Sequence, residues 1–274
     1  MERYFYYRDA DIFCHHTLDT APRTEDYSMH VHENFELYYF ICGDASYLVE
    51  GTVYELRPHD VLLMRGSETH KTKINSAAPY ERAAIHFSPA IFSALDPDGT
   101  LLMPFTKHQL GQNNRYSEDD FLSGRYKECF SDLDARRRET ENRLFIISRM
   151  LVILTELQYA YRAKTDAGAI EHPGPASEIV SYINLHLFED MSLDSISRRF
   201  YLSKSQLNRV FSRATGSPVW EYVRIKRLLS ARERLLAGES AVNVCTECGF
   251  KDYSSFFRAY KARFGQSPSS ERQK

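Results

Sequence analysis

Apolar positions follow two different periods along this chain of 274 residues. Over about residues 1–90 they form short runs that end at turn residues such as Gly43-Asp44 and Pro58. Three of these runs cover residues 35–49, 54–64 and 82–87. Short apolar runs separated by turns are typical of strands in a β-sandwich or small barrel. We therefore predict a β-rich N-terminal region, followed by residues 96–112 as mostly loop.

The apolar period changes to that of a helix after Ser117. Ser117 is a favourable N-cap, and the three acidic residues that follow it suit the positive end of a helix. We predict a first helix from this point, with Phe121, Tyr126 and Phe130 on one face. A second helix is predicted from about residue 139 to 163. These helices either cover the barrel or form a dimer face, and the sequence favours neither.

Residues 164–176 contain two glycines and two prolines, which favour an irregular linker. This segment divides the chain into a predicted N-terminal domain, residues 1–163, and a C-terminal domain, residues 177–274. The helical period resumes in the second domain. The predicted fold class is therefore α+β, with an N-terminal β-barrel and appended helices followed by an all-α domain.

The C-terminal domain repeats one pattern twice. Ser192 and Ser203 are predicted to cap two successive helices, and Gly216 ends the second of them. Three residues recur 49 positions later, Leu207, Arg209 and Phe211 as Phe256, Arg258 and Tyr260. Each copy consists of a short helix, a turn and a longer helix. This is the helix-turn-helix arrangement, which places its second helix in the DNA major groove.

An amphipathic stretch, residues 219–236, joins the two predicted recognition helices. As a helix it would be roughly 27 Å long at about 1.5 Å per residue. With its flanking turns it would place the recognition helices about 34 Å apart, one turn of DNA. The candidates for DNA contact are the side chains left outside the predicted core. They are Ser205, Gln206, Asn208, Arg209, Arg213, Tyr253, Ser254, Arg258 and Lys261.

Arg209 and Arg258 occupy equivalent places in the two copies. Arginine can donate two hydrogen bonds to guanine, and asparagine can bracket adenine. The alternative for either arginine is a phosphate contact or an ordinary surface charge. The charge distribution agrees with DNA binding, because residues 176–274 hold 16 Lys and Arg against 10 Asp and Glu, a balance of +6. Residues 1–175 hold 19 against 27, a balance of −8.

The location expected from the sequence is the cytoplasm, with no membrane partner. The first residues lack the apolar segment of a signal peptide, and no run of about 18 apolar residues predicts a membrane helix. The five cysteines are scattered and odd in number, which suits a reducing compartment. Cys245 and Cys248 are spaced like a metal or redox pair, but without a second pair we interpret them as small core residues.

The second copy, from Gly249 through Pro268, resembles the signature of AraC/XylS-type transcription regulators, and the resemblance covers about residues 176–272. Tyr260 stands where Phe is common in the family, and Glu271 stands where an aromatic residue is common. The resemblance also implies contact with RNA polymerase and a role in activation. The base-reading positions that it implies are Ser205, Asn208, Arg209, Tyr253, Ser254 and Arg258.

The N-terminal domain resembles a cupin barrel. The first cupin motif is matched by His30, His32, Glu36 and Gly43, and the second by Gly51, Pro58-His59-Asp60 and His70. His59 replaces the usual glycine of the second motif. If these positions alternate on a strand, His30, His32 and Glu36 share one face, and His70 can join them.

Three interpretations of this side-chain set remain open. It holds a divalent Fe, Mn or Zn ion, it belongs to a polar pocket for a small effector such as a sugar, or its imidazoles are simply hydrogen-bonded in the core. The pocket interpretation requires no cofactor. Its expected ligand-binding residues are His30, His32, Glu36, Tyr38, His70 and His86.

We therefore expect a cytoplasmic, sequence-specific regulator of transcription that acts as an activator. It would bind double-stranded promoter DNA as a homodimer, under the control of a small-molecule effector such as a sugar or a related metabolite. The alternative is a metal-dependent cupin enzyme fused to a DNA-binding domain.

Overall fold

The computed structural model describes residues 2–135, 143–166 and 175–271. Contacts divide the chain into two compact units, Met1–Pro173 and Gly174–Lys274. Helix continues through residue 166 and begins again at residue 175, so the predicted linker 164–176 includes helical residues at both ends. Its central part, residues 167–174, lies outside the described residues, as does the predicted helix start at residues 139–142.

The first unit contains two antiparallel sheets. Its strands are β1 (Glu2–Arg8), β2 (Ile12–Asp19), β3 (Phe35–Cys42), β4 (Ala45–Val49), β5 (Thr52–Glu55), β6 (Val61–Met64), β7 (His70–Ile74), β8 (Tyr80–Phe87) and β9 (Arg115–Tyr116). One sheet has the order β1-β2-β8-β3-β6-β9, and the other has the order β5-β4-β7. The strands predicted within the three apolar runs are confirmed.

The turn at Gly43-Asp44 does not close a hairpin. Strand β3 pairs with β6 and β8, whereas β4 pairs with β5 and β7. The chain therefore passes from one sheet to the other at Gly43, whose φ of 132° favours glycine. An ideal Cβ at this position would lie 3.0 Å from the carbonyl oxygen of Pro79, so the close approach also requires glycine.

Both faces of β3 are buried, which explains why its sequence is apolar apart from Glu36. Leu37 and Tyr39 pack in a core shared with the helices of the first unit. Tyr38 and Phe40 point the other way, into a core shared with the small sheet. Because successive strand residues face opposite sides, a strand covered on both sides carries no polar alternation.

The described helices of the first unit are α1 (Met103–Thr106), which lies inside the predicted loop, α2 (Arg125–Ala135) and α3 (Arg143–Asp166). Helix α2 begins later than the helix predicted directly after Ser117. Ser117 starts a single 3-10 turn, in which Asp120 accepts a hydrogen bond from the Ser117 amide at 2.7 Å. Phe121 then returns to extended backbone and stacks on Tyr126, with ring centroids 3.9 Å apart. The prediction of a helix directly after Ser117 was wrong because this packing ends the turn.

Helix α3 is long and apolar enough to span a membrane by length and composition alone, although the sequence has no uninterrupted apolar run. Its inward side chains, which include Ile146, Met150 and Leu157, are buried in the core shared with the large sheet. This burial accounts for the apolar residues on the inward side of α3, and 33% of its most apolar window is buried.

The second unit is helical, as predicted. Its helices are α4 (Pro175–Leu185), α5 (Leu193–Arg199), α6 (Lys204–Thr215), α7 (Val219–Leu236), α8 (Ala241–Glu247), α9 (Tyr253–Phe264) and α10 (Pro268–Glu271). The predicted caps are confirmed, since Ser192 accepts from the Ser195 amide at 3.0 Å and Ser203 accepts from the Gln206 amide at 3.2 Å. Gly216 ends α6 in the left-handed conformation.

Helix α7 belongs to both helix-turn-helix cores. Val219 and Val223, near its start, pack with α5 and α6. Leu228 and Leu235, further along, pack with α8 and α9, in the core that also holds Cys245 and Cys248. Burial raises the pKa of both thiols, which suits their predicted place in the core. One continuous helix thus contributes to both helix-turn-helix units.

Candidate functional site

The recognition helices α6 and α9 each bury one face and expose the other. Leu207 and Phe211 of α6 are fully buried, as are Phe256 and Tyr260 of α9. Among the predicted DNA-contacting residues, all except Asn208 are exposed. The exposed set is Ser205, Gln206, Arg209, Arg213, Tyr253, Ser254, Arg258 and Lys261. The two helices therefore present their polar side chains to solvent.

The basic side chains on these surfaces are available to a ligand. Arg209, Arg213, Arg258 and Lys261 form no ion pair or side-chain hydrogen bond within the described ranges. Other arginines of the same unit are engaged, as Arg232 is with Glu271 at 2.8 Å. Unpaired guanidinium groups on an exposed helix face can bind phosphate oxygens or guanine edges.

Asn208 is half-buried because it caps the neighbouring helix. Its side-chain oxygen accepts a hydrogen bond from the Val219 amide at 3.3 Å, at the start of α7. Gln206 is also engaged locally, since its side chain accepts from the Ser203 amide at 3.0 Å. Sequence reasoning placed Asn208 outside, because a contact eleven residues away is not visible in the helical period.

A cavity of about 210 Å³ lies in the first unit and is lined by residues from both sheets. Glu36, Tyr38 and His86 from the predicted ligand set face this cavity, together with His30 from the segment before β3. His32 and His70 contact Glu36 at its edge, each at 2.9 Å. The structure thus brings the six predicted ligand-binding residues to one place.

The sequence pattern predicts that alternation along one strand brings the histidines together. This prediction was wrong. His30 and His32 lie before β3 in the chain, and His30 forms a bridge with His70 at the start of β7. Their backbone groups exchange hydrogen bonds of 3.1 and 3.0 Å. Glu36 approaches from the large sheet, on β3. The cluster therefore forms where the two sheets meet, and the four ligand atoms of His30, His32, Glu36 and His70 lie within 4.8 Å of one another.

Backbone carbonyls set the orientation of three of these imidazoles. The Nδ1 atoms of His30, His32 and His70 lie 3.0, 2.8 and 2.8 Å from the carbonyl oxygens of Ser28, Asn34 and Glu68. A carbonyl can only accept, so each Nδ1 carries the proton and donates. In the neutral ring the Nε2 atom is then an acceptor, as it is in most metal-ligating histidines.

The carboxylate of Glu36 meets these acceptors directly. Its Oε2 atom lies 2.9 Å from Nε2 of both His32 and His70. Because two acceptors repel at this distance, a proton or a cation must lie between them. Three imidazole nitrogens and one carboxylate oxygen form a donor set that suits Fe, Mn or Zn, so the residues fit a divalent metal.

The pKa directions describe the alternative, in which a proton bridges the groups. Burial lowers the pKa of His30 to about 4, and burial also lowers that of His86. Burial opposes protonation of His70 too, but the adjacent Glu36 carboxylate outweighs it and the pKa of His70 is raised. Although burial favours its neutral form, the neighbouring imidazoles hold the pKa of Glu36 well below its usual range. Without a metal, these directions favour a proton on His70 over one on Glu36.

Sequence reasoning missed the other polar end of the cavity. Tyr80 lies 2.5 Å from the Tyr38 hydroxyl and 3.0 Å from the Thr72 hydroxyl. Arg82 lines the cavity from β8, two strand positions beyond Tyr80. A usable signal was present, because Tyr80, Arg82 and His86 alternate along β8 and therefore share one face of the strand.

Comparison with known proteins supplies the family context. A family profile described as an AraC-like ligand binding domain matches residues 17–151, and one described as a helix-turn-helix domain matches residues 196–274. The regulatory protein PocR of Salmonella typhimurium is 26% identical over 149 residues, which cover 54% of this chain and 49% of PocR. The chain thus spans about half the length of that relative.

Two further proteins resemble the C-terminal unit. The HTH-type transcriptional activator AarP of Providencia stuartii is 33% identical over 94 residues, which cover 34% of this chain and 70% of AarP. The crystal structure of the AdpA DNA-binding domain in complex with a target DNA is 28% identical. It covers 37% of this chain and 92% of that domain, with a TM-score of 0.35.

Proposed function

The chain belongs to the AraC family of DNA-binding transcription regulators, and we propose that it binds promoter DNA through α6 and α9 under the control of a small molecule held in its N-terminal barrel. As a transcription factor it is not an enzyme, which removes the alternative of a metal-dependent cupin enzyme. The observation that carries the DNA proposal is that one helix, α7, holds two recognition helices with exposed, unpaired basic side chains.

The two recognition helices enter successive major grooves. Helix α7 has 18 residues, which is roughly 27 Å at about 1.5 Å per residue. With its flanking turns this approaches one DNA turn, about 34 Å. Arg209 and Arg258 contact base edges at equivalent positions. The remaining contacts are made by Ser205, Gln206, Asn208, Arg213, Tyr253, Ser254 and Lys261.

The effector occupies the barrel cavity, and a sugar or related metabolite suits its lining of hydroxyl and imidazole groups. Its contacts are His30, His32, Glu36, Tyr38, His70 and His86. Binding shifts the population of conformers in which the DNA-binding units of a homodimer fit their sites. Exposed apolar side chains at Leu122, Leu144 and Tyr159 support a dimer face beside α2 and α3. The protein works in the cytoplasm as an activator, in contact with RNA polymerase.

A divalent metal in the barrel is a second candidate. It is favoured because the Nε2 atoms of His32 and His70 and the carboxylate of Glu36 are all acceptors in close contact. His30, His32, Glu36 and His70 would hold it, and the ion would orient an effector or stabilise the barrel. Elemental analysis of protein purified without added metal tests this. Stoichiometric metal that is lost in both His30→Ala and His70→Ala, but kept in the control His186→Ala, would support the ion. If the wild-type protein contains no metal, a shared proton accounts for the contacts between Glu36 and the histidines.

Genomic footprinting tests the proposed function as a whole. We expect protected promoter sites, and purified protein should prefer those fragments over random competitor at moderate salt. The absence of any preference would contradict sequence-specific binding. A thermal-shift screen against sugars tests the effector proposal separately, because a ligand that binds the folded state raises Tm.

A further inference from the structure

Arg82 lines the barrel cavity and forms no ion pair with a carboxylate of the described residues. Its guanidinium lies over the rings of Tyr27 and Tyr80, 5.0 and 4.6 Å from their centroids. The Nη1 atom is buried and has no hydrogen-bond partner among the described residues. A buried donor on a charged group is costly unless it is satisfied, and aromatic faces stabilise the cation without accepting a conventional hydrogen bond.

The carboxylates around the cavity are engaged elsewhere. Asp26 accepts from Arg23 at 3.2 Å, and Asp19 accepts from the Tyr27 hydroxyl at 2.8 Å. Glu36 lies among the histidines, opposite His86 in the strand register. His86 is four residues from Arg82 along β8, roughly 13 Å at about 3.3 Å per residue. Glu36 and Arg82 therefore mark two separate ends of the cavity region.

A second unsatisfied polar atom lies at the Arg82 end. Thr17 of β2 is the direct cross-strand partner of Arg82. Its hydroxyl is buried and has no hydrogen-bond partner among the described residues. Side chains directly opposite each other in an antiparallel pair share one face, with Cβ atoms about 5 Å apart. A guanidinium and a hydroxyl group thus lie on the same face of neighbouring strands, and of the two residues Arg82 is the one named in the cavity lining.

We infer that the effector carries a carboxylate that binds Arg82, which makes it a small hydroxylated acid such as a sugar acid. The inference rests on the proposed function, in which the barrel cavity is the effector site. The guanidinium fork matches a carboxylate with two parallel hydrogen bonds. A cavity of about 210 Å³ suits a molecule the size of a monosaccharide. Hydroxyl groups of the ligand reach the histidine end, where the Nε2 atom of neutral His30 and the Glu36 carboxylate accept hydrogen bonds.

Matched pairs of ligands test the carboxylate. Calorimetric titration of the full chain compares D-galacturonate with D-galactose and D-glucuronate with D-glucose, since the members of each pair differ only at C6. We expect at least one acid to bind roughly 10- to 100-fold more tightly than its neutral partner, the range for a hydrogen bond to a charged group. Equal binding within both pairs, or no binding by either acid, would overturn the assignment, as would tighter binding of D-glucose 6-phosphate.

Variants locate the contact. Arg82→Gln should remove the preference for the acid, Arg82→Lys should retain part of it through charge alone, and the exposed control Arg57→Gln should leave it unchanged. An acid preference that persists in folded Arg82→Gln would place the carboxylate elsewhere. If Arg82→Gln does not fold, the ligand pairs are compared with the wild-type protein and with Arg82→Lys. A lysine lacks the two-pronged donor geometry of arginine, so Arg82→Lys must bind the acid more weakly than the wild type does.

Promoter binding by the same preparations separates this inference from the proposed function. If the protein binds its promoter but prefers neutral sugars, the proposed function stands and the carboxylate inference is rejected. If the protein binds an acid through Arg82 but prefers no promoter fragment, the carboxylate inference stands and the proposed function is rejected.

Discussion

Arg227 of α7 donates a hydrogen bond from Nη1 to the carbonyl oxygen of Gly249, 2.5 Å away, in the turn before α9. The same guanidinium donates from Nε to Leu187 at 2.7 Å and from Nη2 to Glu189 at 2.8 Å, both in the segment after α4. One side chain therefore joins the two halves of the DNA-binding unit through three backbone carbonyls. This contact helps to set the relative placement of the recognition helices.

Replacing Gly249 by alanine should destabilise the protein more than the same change at Gly265. Both glycines have a left-handed φ, 78° and 74°. An added Cβ at Gly249 would lie 2.7 Å from Cζ of Arg227 and 2.9 Å from the Phe188 carbonyl, whereas nothing lies within 4 Å at Gly265. We expect Gly265→Ala to cost about 1 kcal/mol of unfolding free energy. Gly249→Ala should cost roughly 1–3 kcal/mol more, through overpacking. Denaturant unfolding measures both, and equal losses would refute the steric contribution.

Arg227→Met should weaken binding to a promoter fragment with both half-sites more than binding to a fragment with one. Methionine fills similar space but leaves the three carbonyls without their donor, so the halves of the unit are no longer tied together. Fluorescence anisotropy with the two fragments measures the difference. Arg224→Met is the control, since Arg224 pairs only with Glu221, three residues earlier, among the described residues. A uniform loss on both fragments would show that Arg227 acts on stability alone.

The two departures from the family pattern are in contact, so they should be energetically coupled. The Tyr260 hydroxyl donates to Glu271 Oε1 at 3.0 Å, and Arg232 Nε donates to the same oxygen at 2.8 Å. Tyr260→Phe should cost about 0.5–1.5 kcal/mol, and Glu271→Ala roughly 1–3 kcal/mol, because it leaves two donors unsatisfied. The double variant should lose less than the sum of the single variants. Additive losses in a double-mutant cycle would show that the contact contributes nothing.

Asn208 and Arg209 are adjacent on α6 but should respond differently to alanine. Asn208→Ala removes the cap on the Val219 amide, so it should lower the unfolding free energy by about 1 kcal/mol. Arg209→Ala removes an unpaired exposed side chain and should leave stability within about 0.5 kcal/mol of wild type. Thermal unfolding beside promoter binding distinguishes them. An unchanged Tm in Asn208→Ala would mean that the cap is not formed in solution.

Arg258→Ala should cost roughly 1–3 kcal/mol on the specific promoter site and relax the preference at one base position. The reason is that a guanidinium contact to a guanine edge is lost, while the helix itself is unaffected. Binding to a set of single-base variants of the site measures this. If affinity falls equally for every variant, Arg258 contacts phosphate and reads no base.

The helix caps and helix ends of the second unit could be predicted from the sequence. Ser192 and Ser203 cap helices within three residues of themselves, and Gly216 ends α6 through its own backbone freedom. The amphipathic stretch of residues 219–236 has the same bounds as helix α7. Each of these features depends on neighbours in the chain, so position in sequence was sufficient to place the helices and their exposed faces.

Sequence by itself thus determined the helix-turn-helix pair, the β-rich first unit and the histidine end of the cavity. Tertiary structure alone decided that β3 and β4 belong to different sheets, that His30 reaches Glu36 through a bridge to His70, and that Arg82 lies over two tyrosine rings. The physical reason is that these arrangements depend on which distant strands pair. Strand pairing follows from packing over the whole core, which a local pattern does not record.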